Sequence, residues 1–177
     1  MSPEARTERH NRFVESVCGF FVKMKSDKNT FDIGPVVTKG NKTVSIPYDD
    51  GQLYFDIFVY HYTEGKRIIN VVECKTRQNY NANSINSLKR ELKNFIIKAY
   101  KSIDHLKKQY NNDYKFLFIS NIPFGIWNDA ITIDFLNNNL EEINPLDNDK
   151  ISDLKSKLEI MILSNWVLNL VKGEWAR

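Results

Sequence analysis

Two cysteines in 177 residues, Cys18 and Cys74, are too few for a disulfide framework, and a reduced, cytoplasmic protein is the expectation. Seven glycines include none in a GxxxxGK(S/T) arrangement, which excludes the phosphate-cradling loop of an ATPase. His10, His61 and His105 show no HxxxH or HxH spacing, so a zinc site is rejected. No apolar run approaches the ~18 residues that span a bilayer. Met1-Ser2-Pro3-Glu4 lacks the basic and apolar regions of a signal peptide. Charge of one sign is also scarce: the net value is +3. The sequence pI near 8.7 is only mildly basic and does not by itself demand nucleic acid. The heavy use of Asn and Lys reads as a composition bias without functional meaning.

What is present is a core. A hydrophobic content of 42% with 12% aromatics marks a globular chain, long enough for one domain and too short for two comfortable ones. Ser2-Pro3-Glu4 starts a helix that should run to about Lys25, with Phe13, Val17, Phe20 and Met24 on one face and Val14 and Phe21 beside it. Thr43 to Ile46 is a short strand, and Asp49-Asp50-Gly51 a turn signal. Leu53 to Tyr62, a turn over 63–66 and Arg67 to Lys75 form a hairpin. Leu88, Leu92, Phe95, Ile96, Ala99, Ile103 and Leu106 space a long helix capped by Ser84. Lys115 to Ser120 is a buried strand and Ala130 to Phe135 a further short one. Asp149 to about Val171 is a closing helix. The expectation is one α/β domain over 1–177, a core of about 3–122 plus a C-terminal extension with its helix at about 149–171.

An acidic residue, any residue and Lys occurs five times, beginning at Glu64, Glu73, Glu91, Asp113 and Asp153. Glu64 falls in a turn, Glu91 and Asp153 on helical stretches, and Asp113 closes a polar run. Only Glu73-Cys74-Lys75 ends an apolar strand, where unpaired charge is costly. Period-2 alternation sends Glu73 and Lys75 to one face and Cys74 to the other. If the hairpin forms, Asp56 stands beside the pair.

Phe55-Asp56, a 16-residue gap, Glu73-Cys74-Lys75, a following helix and an apolar strand resemble the PD-(D/E)XK, or restriction-endonuclease-like, superfamily over residues 3–122. The resemblance implies a mixed β-sheet flanked by helices, and metal-dependent hydrolysis of DNA. Asp56 and Glu73 would hold one or two Mg²⁺ or Mn²⁺ ions, with the Cys74 carbonyl completing the shell. Lys75 would hold the attacking water and offset charge on phosphorus. Phe55 replaces the family's Pro. A family Glu on the first helix is matched by Glu15, although a helical wheel places Glu15 nearly opposite the apolar face. His10 and Arg6 lie nearer that face. Glu73-Cys74-Lys75-Thr76-Arg77 and Phe118-Ile119-Ser120-Asn121 further resemble Mrr-like enzymes and DNA-cleaving effectors of anti-phage defence. The implied partners are double-stranded DNA and a second copy or larger assembly.

Plainer readings stand beside these. Asp56 can be a solvated edge residue, and Glu73–Lys75 a simple ion pair worth under about 1 kcal/mol. Cys74 reads as buried apolar filler. The basic face of the long helix, with Lys89, Arg90, Lys93, Lys98, Lys101, Lys107 and Lys108, is either solvated surface or phosphate-contacting. The loop 76–81, with Arg77, Gln78 and Tyr80, is open to the same two readings. The chain could instead be a non-cleaving nucleic-acid-binding module, or an interaction domain docking through Met161 to Val171.

Overall fold

Five strands in the order β1-β4-β5-β6-β7 form the central sheet. The computed structural model describes residues 3–24, 26–34, 44–49, 51–164 and 167. The chain runs α1 (Pro3–Lys23), β1 (Asn29–Ile33), β2 (Val44–Tyr48), β3 (Gly51–Phe55), β4 (Ile57–Thr63), β5 (Lys66–Lys75) and α2 (Ala82–Tyr110). It continues through β6 (Tyr114–Ser120), a 3-10 turn at Asn128–Ala130, α3 (Ile133–Asn139), α4 (Asn148–Lys157) and β7 (Leu158–Ile162). β1, β4 and β5 pair antiparallel; β5, β6 and β7 pair parallel. The sheet is therefore mixed, and the fold class is α/β, as expected.

β5 lies at the centre and sorts the molecule into two faces. Ile69 and Val71 join the larger core beneath α2, while Val72 and Cys74 join the core beneath α1. Phe13, Val14, Val17, Cys18 and Phe21 bury the α1 face, at i, i+4 and i+8 spacing. That stripe is rotated from the expected one: Met24 is exposed, and Phe20 only packs at its margin. On the other side nine α2 residues from Leu88 to Leu106 are buried. Asn81, not Ser84, caps α2, accepting the Ser84 N–H at 2.9 Å. The β4–β5 hairpin turns through Glu64 and Gly65 at φ 48° and 78°, the left-handed pair that a two-residue hairpin needs.

Four further sequence expectations change. Leu53 to Tyr62 is not one strand: it breaks at Asp56 into β3, which pairs with β2 in a separate two-stranded sheet, and β4. Strict alternation would put Phe55 and Phe58 on opposite faces, yet both enter the α2-side core, so the chain must bend between them. Residues 29–33 form a strand where none was expected. Ala130 to Phe135 is a 3-10 turn and a helix start, because the Thr132 hydroxyl accepts the Phe135 N–H at 3.1 Å and caps α3. The closing helix stops at Lys157 and becomes β7, since β6 offers a free parallel edge to an apolar segment. Most of the expected docking segment beyond Ile162, and the Ser2 cap, lie outside the described residues. No helix among the described residues is long and apolar enough to cross a membrane.

Candidate active site

Three elements converge where β5 ends. Asp56 occupies the bend entering β4. Its main-chain N–H donates to the Val72 carbonyl at 3.0 Å, and its Oδ2 accepts the Cys74 N–H at 2.6 Å. Its Oδ1 lies 3.1 Å from His10 Nε2. His10 precedes Phe13 and Val14 by three and four residues, so the buried stripe of α1 brings it to the end of the sheet. Asp56 is thus fixed on the main chain of the residue lying between Glu73 and Lys75.

Glu73 and Lys75 share the α2 face, as alternation requires. Lys75 Nζ lies 2.7 Å from Glu73 Oε1, and Lys98 Nζ of α2 lies 2.7 Å from Oε2. Lys98 is itself held by the Tyr54 carbonyl at 2.8 Å and sits over the Phe55 ring, 4.9 Å from its centroid. Glu73 is nearly inaccessible, so two ammonium groups supply the compensation that burial demands. Glu91, seven residues before Lys98 on α2, reaches Lys75 at 3.9 Å and Arg77 at 3.6 Å. Asn121 fixes the chain leaving β5: it accepts the Arg77 N–H at 2.7 Å and donates to the Arg77 carbonyl at 2.8 Å.

These placements set the protonation states. Burial pushes the Asp56 carboxyl up, but the His10 hydrogen bond and charge, Lys75 and the Cys74 N–H outweigh it and hold it below the usual value. Burial pulls Lys75 down, but Glu73, Asp56 and Glu91 raise it above the ordinary ammonium value. At neutral pH Lys75 is a cation and a donor, not a base. Burial, then Asp56, drives the Cys74 thiol well up, which leaves it protonated and unreactive.

Among the described residues no three His, Cys, Asp or Glu side chains cluster as a metal-binding group. The oxygens on offer are the two carboxylates of Asp56 and Glu73 and the Cys74 carbonyl, which strand geometry points to the same edge as its N–H. Mg²⁺ is commonly held by one or two carboxylates and retained waters, so this hard-oxygen set fits it better than a softer ion. Glu15 is not brought to the cluster. It is exposed and five residues from His10, about 140° around the helix.

Sequence reasoning gave Glu91 no site role, set Lys98 only on the basic face of α2 and Asn121 only in the stretch resembling Mrr-like enzymes, and marked His10 only by its face. The basic face of α2 is not one continuous surface. Lys93 is tied to Glu141 and Glu142, Lys98 to Glu73, and Lys107 to Asp153. Arg90 instead faces a cleft of about 630 Å³ that Lys75 and Arg77 also line. No protein-family model matches this chain, and no curated protein matches it.

Proposed function

We propose that the chain is a metal-dependent endonuclease of restriction-endonuclease-like fold that hydrolyses DNA phosphodiesters, acting as a DNA-cleaving effector of anti-phage defence. One observation carries the reading: Glu73 and Lys75 are paired at 2.7 Å while Asp56 is bonded to the N–H between them. The order of helix, hairpin, helix and strand around that cluster supports it. Asp56 and Glu73 would hold Mg²⁺ or Mn²⁺, together with the Cys74 carbonyl. Bound there, the ion supplies Lewis-acid stabilisation of the phosphoryl oxygens. The Lys75 ammonium orients the water whose oxygen bonds to phosphorus as the P–O ester bond breaks, and it offsets the charge that gathers there. Lys98 neutralises Glu73 and keeps its carboxylate in place. One such site cuts one strand, so cutting a duplex through calls for two copies or a larger assembly.

The runner-up is a nucleic-acid-binding module without cleavage. Both Glu73 oxygens are already satisfied by lysines, which a purely structural role would also require.

Cutting of supercoiled plasmid and of single-stranded circular DNA in Mg²⁺, Mn²⁺ or EDTA separates the two. The nuclease reading expects metal-dependent cutting that falls at least about 100-fold in Asp56→Ala and Lys75→Ala. Cutting that survives EDTA or Lys75→Ala overturns the mechanism. Metal-independent binding without cutting favours the runner-up.

A further inference from the structure

The whole chain carries a net charge of +3, yet a single cleft holds a larger surplus. Arg6 and Arg9 of α1, Lys75 and Arg77 at the end of β5, and Arg90 of α2 line it, facing one carboxylate, Glu91. Glu91 is engaged by Lys75 and Arg77. Arg6 and Arg90 have no ion-pair partner among the described residues. Five fixed cations around one concave space repel one another and concentrate anions there. Four of the five are guanidinium groups, whose planar fork matches phosphate oxygens two at a time.

The shape narrows the choice of anion. A volume of about 630 Å³ falls in the ~300–1,000 Å³ range of pockets that enclose a small molecule, room for a short stretch of strand and not for the body of a duplex. α1 closes one wall and α2 the other. Arg9 Nη2 reaches Gln78 Oε1 at 3.3 Å, joining α1 to the loop that leaves β5. Two residues along that loop Tyr80 is 66% exposed, a ring face available to a base.

We infer that this cleft binds the phosphates of a single nucleic-acid strand, delivering a strand end or unpaired segment to Lys75 rather than the middle of a duplex. The delivery half rests on the nuclease reading; the binding half does not. A charged groove with an aromatic platform is how single strands are held without sequence preference.

The test is fluorescence anisotropy in EDTA, where no cutting occurs. The probes are a labelled single-stranded oligonucleotide and a duplex of the same sequence closed at both ends by hairpins. The proteins are wild type, Arg6→Gln/Arg90→Gln, and Lys155→Gln, an exposed α4 lysine outside the cleft, as a surface-charge control. Wild type should bind the single strand at least tenfold more tightly than the closed duplex. The double variant should lose about tenfold and flatten the log–log salt dependence by about 1.4, two phosphate contacts at about 0.7 each. Lys155→Gln should match wild type.

Equal or tighter binding to the closed duplex overturns the proposal, as does a double variant that binds like wild type. Displacement by millimolar inorganic phosphate at constant ionic strength also overturns it, in favour of a small-anion site. The two readings fail separately. Cleft-dependent binding without any metal-dependent cutting sinks the nuclease and keeps the cleft. Cutting undiminished in Arg6→Gln/Arg90→Gln sinks the cleft and keeps the nuclease.

Discussion

Two carboxylates in this protein are clasped in nearly the same way, at opposite ends of the sheet. Glu73 pairs with Lys75 and Lys98; Asp153 of α4 pairs with Lys107 at 3.6 Å and Lys157 at 3.9 Å, and accepts the Tyr114 hydroxyl. In each cluster one lysine also donates to a main-chain carbonyl, Lys98 to Tyr54 at 2.8 Å and Lys157 to Asn112 at 2.7 Å. That same lysine caps an aromatic ring, Phe55 in one case and Tyr114 in the other. The surroundings differ. Near Glu73 stand Asp56, Glu91 and the arginine-lined cleft, and the three carboxylates raise Lys75. Around Lys157 burial outweighs Asp153 and lowers the ammonium. A lysine-clasped carboxylate is therefore no signature of a reactive site. Accumulated acidity beside an open, cationic cleft is the distinguishing feature.

The largest expected effect breaks both clasps and asks which one matters beyond folding. Glu73→Gln and Asp153→Asn should each destabilise by about 3 kcal/mol in urea unfolding, because each strands half-buried ammonium groups. Adding Lys98→Met to the first and Lys157→Met to the second should restore most of that stability, since removing both partners is far cheaper than removing one. Cutting per folded molecule should collapse only in the Glu73 variants. Loss of cutting in Asp153→Asn at full folding would erase the contrast between the two clusters.

A smaller effect appears at alkaline pH. Burial, then the bond to Asp153, raises the Tyr114 phenol above its usual value near 10. A raised folded pKa means stability that is complete below pH ~10 and lost as pH climbs above it, where the unfolded phenol ionises first. Tyr114→Phe removes that linkage and should cost about 1–3 kcal/mol at neutral pH by depriving Asp153 of a donor. The stability difference between wild type and Tyr114→Phe should shrink from pH ~9 to ~11. A difference that stays flat over that range would show that the phenol does not carry the cluster's pH response.

Half of this comparison was legible in the sequence. Alternation along Arg67 to Lys75 was enough to place Glu73 and Lys75 together, and the spacing of Leu88 to Leu106 gave the buried face of α2. Partners 25 and 46 residues away were not legible: Lys98 meets Glu73, and His10 meets Asp56, only because the sheet brings their elements together. β7 was masked by periodicity. Ile151, Leu154, Leu158 and Met161 continue a helical spacing, and the short apolar run 158–162 becomes a strand through tertiary partners. β6 pairs with it, and Asn128 Oδ1 accepts the Ile160 N–H at 2.6 Å. β1 was hidden in polar letters, since Asn29 and Asp32 sit on an edge; His61 bonds to Asn29 at 2.8 Å and stacks on Phe31 to hold it.

The smallest effect compares the two helices that carry the clasps through their caps. Asn81 caps α2, which brings Arg90, Glu91 and Lys98 to the sheet. Asp147 caps α4, accepting the Asp149 and Lys150 N–H groups at 2.8 and 3.2 Å, and α4 brings Asp153 and Lys157. Asn81→Ala and Asp147→Ala should each cost about 1 kcal/mol, read as a drop in urea midpoint at unchanged slope. Their local consequences should diverge. Fraying of the first α2 turn loosens the wall that presents Arg90, so Asn81→Ala should weaken single-strand binding two- to threefold, whereas Asp147→Ala should leave it at the wild-type value. Equal binding losses in the two would mean that the cleft responds to global stability rather than to the order of its own wall, and the distinction between the two ends of the sheet would reduce to one of position.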